Sequence, residues 1–227
     1  MARLTQLLAN HGSILVLDAA SQRVQVGLLQ VGKSAVWHAT TDEAGRGVFA
    51  GTEAVLSQAG LGIGQVETFI FCEGPGSMLG TRTVAMALRT WLTLKPRPVY
   101  AYLSLAVAAR FAWSQQTGRD LTVIADARRE TWHCQPIRTD GSMPPLQRLS
   151  AAEVPAGELL TPENFRAWAE PPRPTASCSY ELAEIFPTIA DGDYFTATEA
   201  PDAFQHETPE YKKWSAQAHS AATASPR

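Results

Sequence analysis

The sequence predicts an α/β protein built from a duplicated unit whose second copy is reduced. Three observations carry that expectation. An apolar run ending in a carboxylate, Ile14-Leu-Val-Leu-Asp18, returns as Leu121-Thr-Val-Ile-Ala-Asp126. Each run leads into a further strand-like segment and then a turn. The 227 residues, 45% hydrophobic and 18% charged, suit one large domain or two small ones sharing a crevice.

Ile14 to Leu17 is continuously apolar and ends at the carboxylate of Asp18, the pattern of a strand covered on both faces. Val24, Val26 and Leu28 alternate with Gln25 and Gly27, which predicts a second strand, and Ala35 to Thr40 a third after the turn at Val31 to Ser34. Connections this short make the three an antiparallel meander. From Gly47 to Ala59 the apolar residues recur at helical spacing. Val66 to Cys72 reads as a strand, Thr83 to Leu94 as a helix, Val99 to Tyr102 as a strand and Leu103 to Trp113 as a helix. The Thr83 to Leu94 helix is apolar nearly all round, so it needs cover on two sides.

After Arg119 the order restarts with strands over Leu121 to Asp126 and Thr131 to Ile137. Beyond them Pro144, Pro145, Pro155, Pro162, Pro171, Pro172 and Pro174 leave room only for short elements. The expected organisation is an N-terminal extension over 1–13, a first subdomain over 14–114, a second, reduced one over 120–214, and a disordered tail over 215–227, which is rich in Ala, Ser and Thr.

Bulk properties narrow the function classes. Lys and Arg number 19 against 22 Asp and Glu, so the formal charge of -3 supplies no global field for a nucleic-acid backbone. Arg82, Arg89, Lys95 and Arg97, together with Arg128 and Arg129, make at most a modest local patch that reads as a solvated face. Cys72, Cys134 and Cys178 are odd in number and lack CxxC spacing, which supports neither a disulfide framework nor a zinc ribbon and suits a reducing cytoplasm. No segment approaches the ~20 apolar residues of a membrane span. His11, His38, His133, His206 and His219 form no HxxxH pair, so neither metal nor cofactor is expected.

The most particular segment is Glu73-Gly-Pro-Gly-Ser-Met-Leu-Gly-Thr-Arg82, a glycine-rich stretch running from a strand into a helix. Such a stretch either offers backbone N–H groups to a phosphate or forms a tight turn that needs glycine torsions, with Ser77, Thr81 or Thr83 as the helix cap. It lacks the Lys-Ser/Thr of a P-loop and the Gly-x-Ser-x-Gly of a nucleophile elbow. Asp18 and Asp126 are strand-end carboxylates, placed either to hold a metal-bound nucleotide or to cap a turn. The residues after them, Ala19-Ala20-Ser21 and Ala127-Arg128-Arg129, do not make a phosphate loop.

Three blocks resemble the TsaB (YeaZ) family of the actin/hexokinase/Hsp70 superfamily: Ile14 to Ser21, Gly74-Pro-Gly-Ser-Met-Leu-Gly-Thr-Arg82 and Ile124-Ala-Asp-Ala-Arg-Arg129. Pro209-Glu-Tyr-Lys212 is similar to the family's closing motif. The resemblance runs from about residue 14 to 213 and implies an actin/hexokinase-like (ribonuclease H-like) fold. Gly74, Pro75, Gly76, Ser77, Gly80 and Arg82 would be its signature loop. It further implies a non-catalytic bacterial subunit that binds TsaD, the enzyme that threonylcarbamoylates the adenosine beside the anticodon of tRNA. A TsaE-like ATPase would be a further partner, tRNA would be met only through the complex, and the chain alone would be a homodimer. The family's contact surface is made by the two first-half helices. On it Val48, Phe49, Thr52, Val55, Leu56, Val84, Ala87, Leu88 and Trp91 are the candidate partner residues.

Two other readings compete. One is an enzyme on the same scaffold, an ATP-using phosphotransferase or a glycoprotease-like peptidase, which needs Asp18, Ser77 and Asp126 to converge on a crevice. The other is a homodimer outside the tRNA pathway.

Overall fold

A computed structural model describes residues 1–116 and 118–205. The closing motif at Pro209 to Lys212 and the tail over 215–227 lie outside the described residues. The first half consists of β1 (Ser13–Asp18), β2 (Val24–Gln30), β3 (Val36–Thr40), α2 (Ala44–Ala59), β4 (Thr68–Gly74), α3 (Met78–Leu94), β5 (Val99–Leu103) and α4 (Ser104–Gln115), preceded by α1 (Leu4–Asn10). The second half consists of β6 (Leu121–Asp126), β7 (Thr131–Ile137), β8 (Gln147–Ser150), β9 (Glu158–Pro162), β10 (Ala176–Cys178), α5 (Leu182–Ile189) and β11 (Thr196–Ala197).

The duplication is visible in strand pairing. In the first sheet, ordered β11-β5-β4-β1-β2-β3, β1 is antiparallel to β2 and parallel to β4. In the second, ordered β10-β9-β6-β7-β8, β6 is antiparallel to β7 and parallel to β9. Thus β6 to β10 repeat the arrangement of β1 to β5. The parallel pairs need crossovers, supplied in the first half by α2 and α3 and in the second partly by irregular chain.

Side-chain alternation divides the core into layers. On β1, Leu15 and Leu17 face α2 and α3, joining Val26, Val48, Val55, Phe69, Phe71, Val84 and Leu88. Ile14 and Val16 face the opposite way, into a layer with Leu105 and Ala108 of α4, Ile185 and Ile189 of α5, and Leu121 and Val123 of β6. Helices α4 and α5 therefore lie between the two sheets, and the halves share one core. Among the described residues the outer face of the second sheet has only a small cluster of Ile124, Trp132, Cys134, Val154 and Leu159, and no helix pair covers it as α2 and α3 cover the first. That is how the second half is reduced.

Two regions show what the sequence pattern does not. The N-terminal extension is folded: Leu4 and Leu7 of α1 are buried in the central layer, and Ala2 exchanges backbone hydrogen bonds with Phe195. The chain after α5 also leaves the second half, since β11 pairs with β5 at the edge of the first sheet. Both local segments are too short to show periodicity. Helix α3 starts at Met78, five residues before the expected Thr83, because the Ser77 hydroxyl accepts the Gly80 N–H (3.2 Å) and makes Met78 to Arg82 the first helical turn.

Candidate functional site

The first strand-end carboxylate is sealed. Asp18 is fully buried. The hydroxyls of Tyr102 (2.6 Å) and Tyr180 (2.8 Å) donate to its Oδ2, and the Ala20 N–H (2.8 Å) donates to Oδ1. Burial pushes its carboxyl above the ordinary range, against the pull of those donors. The same burial, with the Asp18 charge, holds both tyrosine hydroxyls well above theirs. Tyr180 reaches Asp18 from the second half, where Gln25 fixes the local chain by donating to the Tyr180 carbonyl (2.8 Å) and accepting the Leu182 N–H (2.9 Å). An Arg23–Glu181 ion pair closes the same seam. Sequence reasoning missed Tyr102 and Tyr180, which are isolated aromatics in otherwise ordinary strand and loop contexts.

The glycine-rich loop closes Asp18 from the other side. The Ser77 N–H donates to the Ala20 carbonyl (2.6 Å), and a Cβ at Gly76 would lie 2.3 Å from that same oxygen. A Cβ at Gly80 would lie 1.9 Å from the Ala19 carbonyl oxygen. Gly76 and Gly80 are therefore required so that the start of α3 can press on the turn after β1. The tight turn capped by Ser77, one of the two readings of this segment, is present. Gly74 has a positive φ of 120°, Pro75 is buried beneath α4, where its carbonyl accepts the Ser104 hydroxyl, and Arg82 is exposed on α3.

Asp126, at the matching end of β6, also serves backbone. Its Oδ1 accepts the Arg128 N–H (2.6 Å), and its Oδ2 accepts the N–H groups of Trp168 (2.6 Å) and Ala169 (2.9 Å). Among the described residues Asp18, Ser77 and Asp126 share no hydrogen bond, and each carboxylate accepts from its own local donors. Among the described residues no group of three His, Cys, Asp or Glu side chains is placed to hold a metal, and no helix is long and apolar enough to cross a membrane.

The helix pair α2 and α3 corrects the choice of contact residues. Val48, Thr52, Val55, Leu56, Val84, Ala87, Leu88 and Trp91 are all buried within the chain itself. Of the nine candidates only Phe49 is exposed (53%), its ring set edge-on to Trp91. These residues form the inward stripe that covers the first sheet. A nearly all-apolar helix gives no phase from which to tell inward from outward.

The outward stripe of α3 is Leu79, Thr83, Met86 and Thr90, at i, i+4, i+7 and i+11. Leu79 (76%) and Met86 (57%) are exposed. The Thr83 hydroxyl bonds back to the Leu79 carbonyl (2.8 Å) and the Thr90 hydroxyl to that of Met86 (2.9 Å), so both threonines satisfy their polar atom within the helix. The result is a solvent-facing stripe that itself has no charged residue, flanked on α3 by the exposed Arg82 and Arg89; Phe49 and Met78 are exposed as well.

No family model matches the chain, and no curated protein matches it. Among solved structures it is similar to YeaZ from Pseudomonas aeruginosa, with a TM-score of 0.61 and 22% identity over 79% of this chain and 90% of that one. A second structure, described as an uncharacterized protein with similarity to peptidase YEAZ from Pseudomonas aeruginosa, agrees to the same degree, with a TM-score of 0.61 and 22% identity. With the duplicated strand order, this likeness establishes an actin/hexokinase-like α/β fold in its YeaZ-like form.

Proposed function

We propose that the chain is a TsaB-like, non-catalytic subunit that binds a TsaD-like transferase through the outward face of α2 and α3, in support of threonylcarbamoylation of tRNA. The uncharged stripe of Leu79, Thr83, Met86 and Thr90 is the observation that carries this reading, since exposed apolar residues gathered on one helix face mark a protein contact rather than a solvated surface. The sealing of Asp18 supports a role without nucleotide chemistry. The same face would serve a homodimer in the absence of the partner. Activation would follow from contacts that differ between two states of the transferase.

The test mixes the purified chain with TsaD from the same genome and follows size-exclusion chromatography with light scattering. The expected result is a one-to-one heterodimer. Leu79→Asp and Met86→Asp alter exposed side chains, so each is expected to leave the thermal midpoint unchanged and weaken the complex by about tenfold or more. Two proteins eluting unchanged at micromolar concentration would overturn the proposal.

A further inference from the structure

The second half carries a cluster that the docking face does not use. Arg128, Arg129 and Glu130 have φ values of 65°, 53° and 57°, three consecutive side-chain-bearing residues in the left-handed region that such residues avoid. Asp126 fixes the entry to this turn through Arg128, and the Thr131 N–H returns to the Arg128 carbonyl (3.1 Å). Through its other oxygen Asp126 holds the backbone of Trp168 and Ala169 against the turn. Backbone strain maintained this way belongs to positions with a task.

The strained turn presents a guanidinium to an indole. Arg128 lies 4.7 Å from the Trp168 ring centroid and Arg166 lies 5.3 Å from it. Trp168 is 61% exposed, and Arg128, Arg129 and Arg166 are exposed as well. The nearby carboxylates are Asp126, which accepts three N–H groups, and Glu130, Glu163 and Glu170. Among the described residues none of them forms an ion pair with these arginines. Two guanidiniums gathered at one exposed aromatic ring, neither held in an ion pair among the described residues, can take an anion.

We propose that Arg128, Arg129, Arg166 and Trp168 form a binding site for single-stranded nucleic acid. The guanidiniums take phosphodiester oxygens, and an unpaired base stacks on the indole or on a guanidinium plane. An acidic peptide would balance the charge but leave the exposed ring uncovered. The formal charge of -3 confines the attraction to this cluster, so few phosphates are engaged. None of these residues lies on α2 or α3, and the inference stands apart from the proposed partner.

The experiment is a fluorescence anisotropy titration of the full chain with a short fluorescein-labelled oligoribonucleotide of mixed sequence, single-stranded or annealed to its complement. Poly-glutamate serves as a competitor. Saturable binding is expected for the single strand, with the duplex weaker. Three phosphate contacts give a slope of log affinity against log salt of about −2. Trp168→Ala is expected to weaken binding about tenfold, Trp168→Phe much less, and Arg128→Gln or Arg166→Gln to reduce the slope by about 0.7 each. All four substitutions are at exposed positions, and an unchanged circular dichroism melt checks that each variant folds. Absence of saturable binding overturns the proposal, as does equal affinity of Trp168→Ala and the parent. So does displacement by poly-glutamate with no effect of Trp168→Ala, which would assign the cluster to acidic peptides.

Discussion

Asp18 and Asp126 occupy the same seat in two copies of one topology, each ending a strand paired antiparallel on one side and parallel on the other, yet their surroundings are opposite. Above Asp18, the start of α3 packs on Ala19 and Ala20, and two tyrosine hydroxyls complete a buried pocket. Among the described residues there is no counterpart of α3 above Asp126. After β9 the chain turns at Asn164, with φ 62°, and its irregular continuation lays the Trp168 and Ala169 N–H groups on the carboxylate. Strand order thus fixes where a carboxylate sits, whereas the segment covering the strand end decides whether it is sealed in a core or organises an exposed turn.

The sharpest way to break this contrast is at Gly80. Its Cβ would stand 1.9 Å from the Ala19 carbonyl oxygen, and both sides of that contact are backbone. Gly80→Ala must push α3 off the turn after β1, with an expected loss of about 3 kcal/mol. Gly64→Ala, where nothing lies within 4 Å, should change stability by no more than about 0.5 kcal/mol. Urea unfolding of both variants measures the difference. Equal stabilities would show that α3 does not seal Asp18.

A smaller effect compares the hydrogen bonds of the two carboxylates. Tyr180→Phe removes a donor to a fully buried oxygen across the seam between the halves and should cost about 1.5–3 kcal/mol, the range for a bond to a charged group. Asp126→Ala removes three acceptor contacts at a partly exposed site. Water replaces some of these, so a loss of about 1 kcal/mol is expected. If the Asp126 variant loses more in urea unfolding, the turn at Arg128 is integral to the core and the contrast between sealed and open ends fails.

The sequence made the strand order of the first half legible because each strand is a long apolar or alternating run, and it marked the duplication through the repeated run ending in Asp. It was silent on α1 and β11, short elements that owe their positions to Phe195 and β5 rather than to their own pattern. The glycine-rich segment was recognised, but its register was not. A Ser77 cap turns residues that look like loop into a helical turn, and only the approach of Ala19 and Ala20 shows why glycine is needed. On α3 the apolar composition is legible in the sequence and its phase is not, so nothing in the sequence separates the inward Val84, Leu88 and Trp91 from the exposed Leu79 and Met86. Trp168 and Arg166 had no local signal at all, because they meet Arg128 from a stretch without periodicity.

The smallest predicted effect concerns pH and separates a buried carboxylate from a merely crowded one. Asp18 titrates higher in the folded chain than when unfolded because burial outweighs its hydrogen-bond donors. Between the unfolded value, about 3.9, and the raised folded value, the folded state retains a proton that the unfolded state has released. The stabilisation from protonated Asp18 is therefore complete below the unfolded value and is lost as pH rises through the folded one. Asp18→Asn carries no such proton, although it loses an acceptor at every pH. Its destabilisation relative to the parent should be greatest near pH 4 and shrink toward pH 7, as read from urea midpoints across that interval. Tyr180→Phe removes a donor that lowers the Asp18 value, so in that background the shrinkage should continue to higher pH. A difference that stays constant with pH in both backgrounds would mean that Asp18 has the same proton affinity folded and unfolded, and that burial does not outweigh its donors.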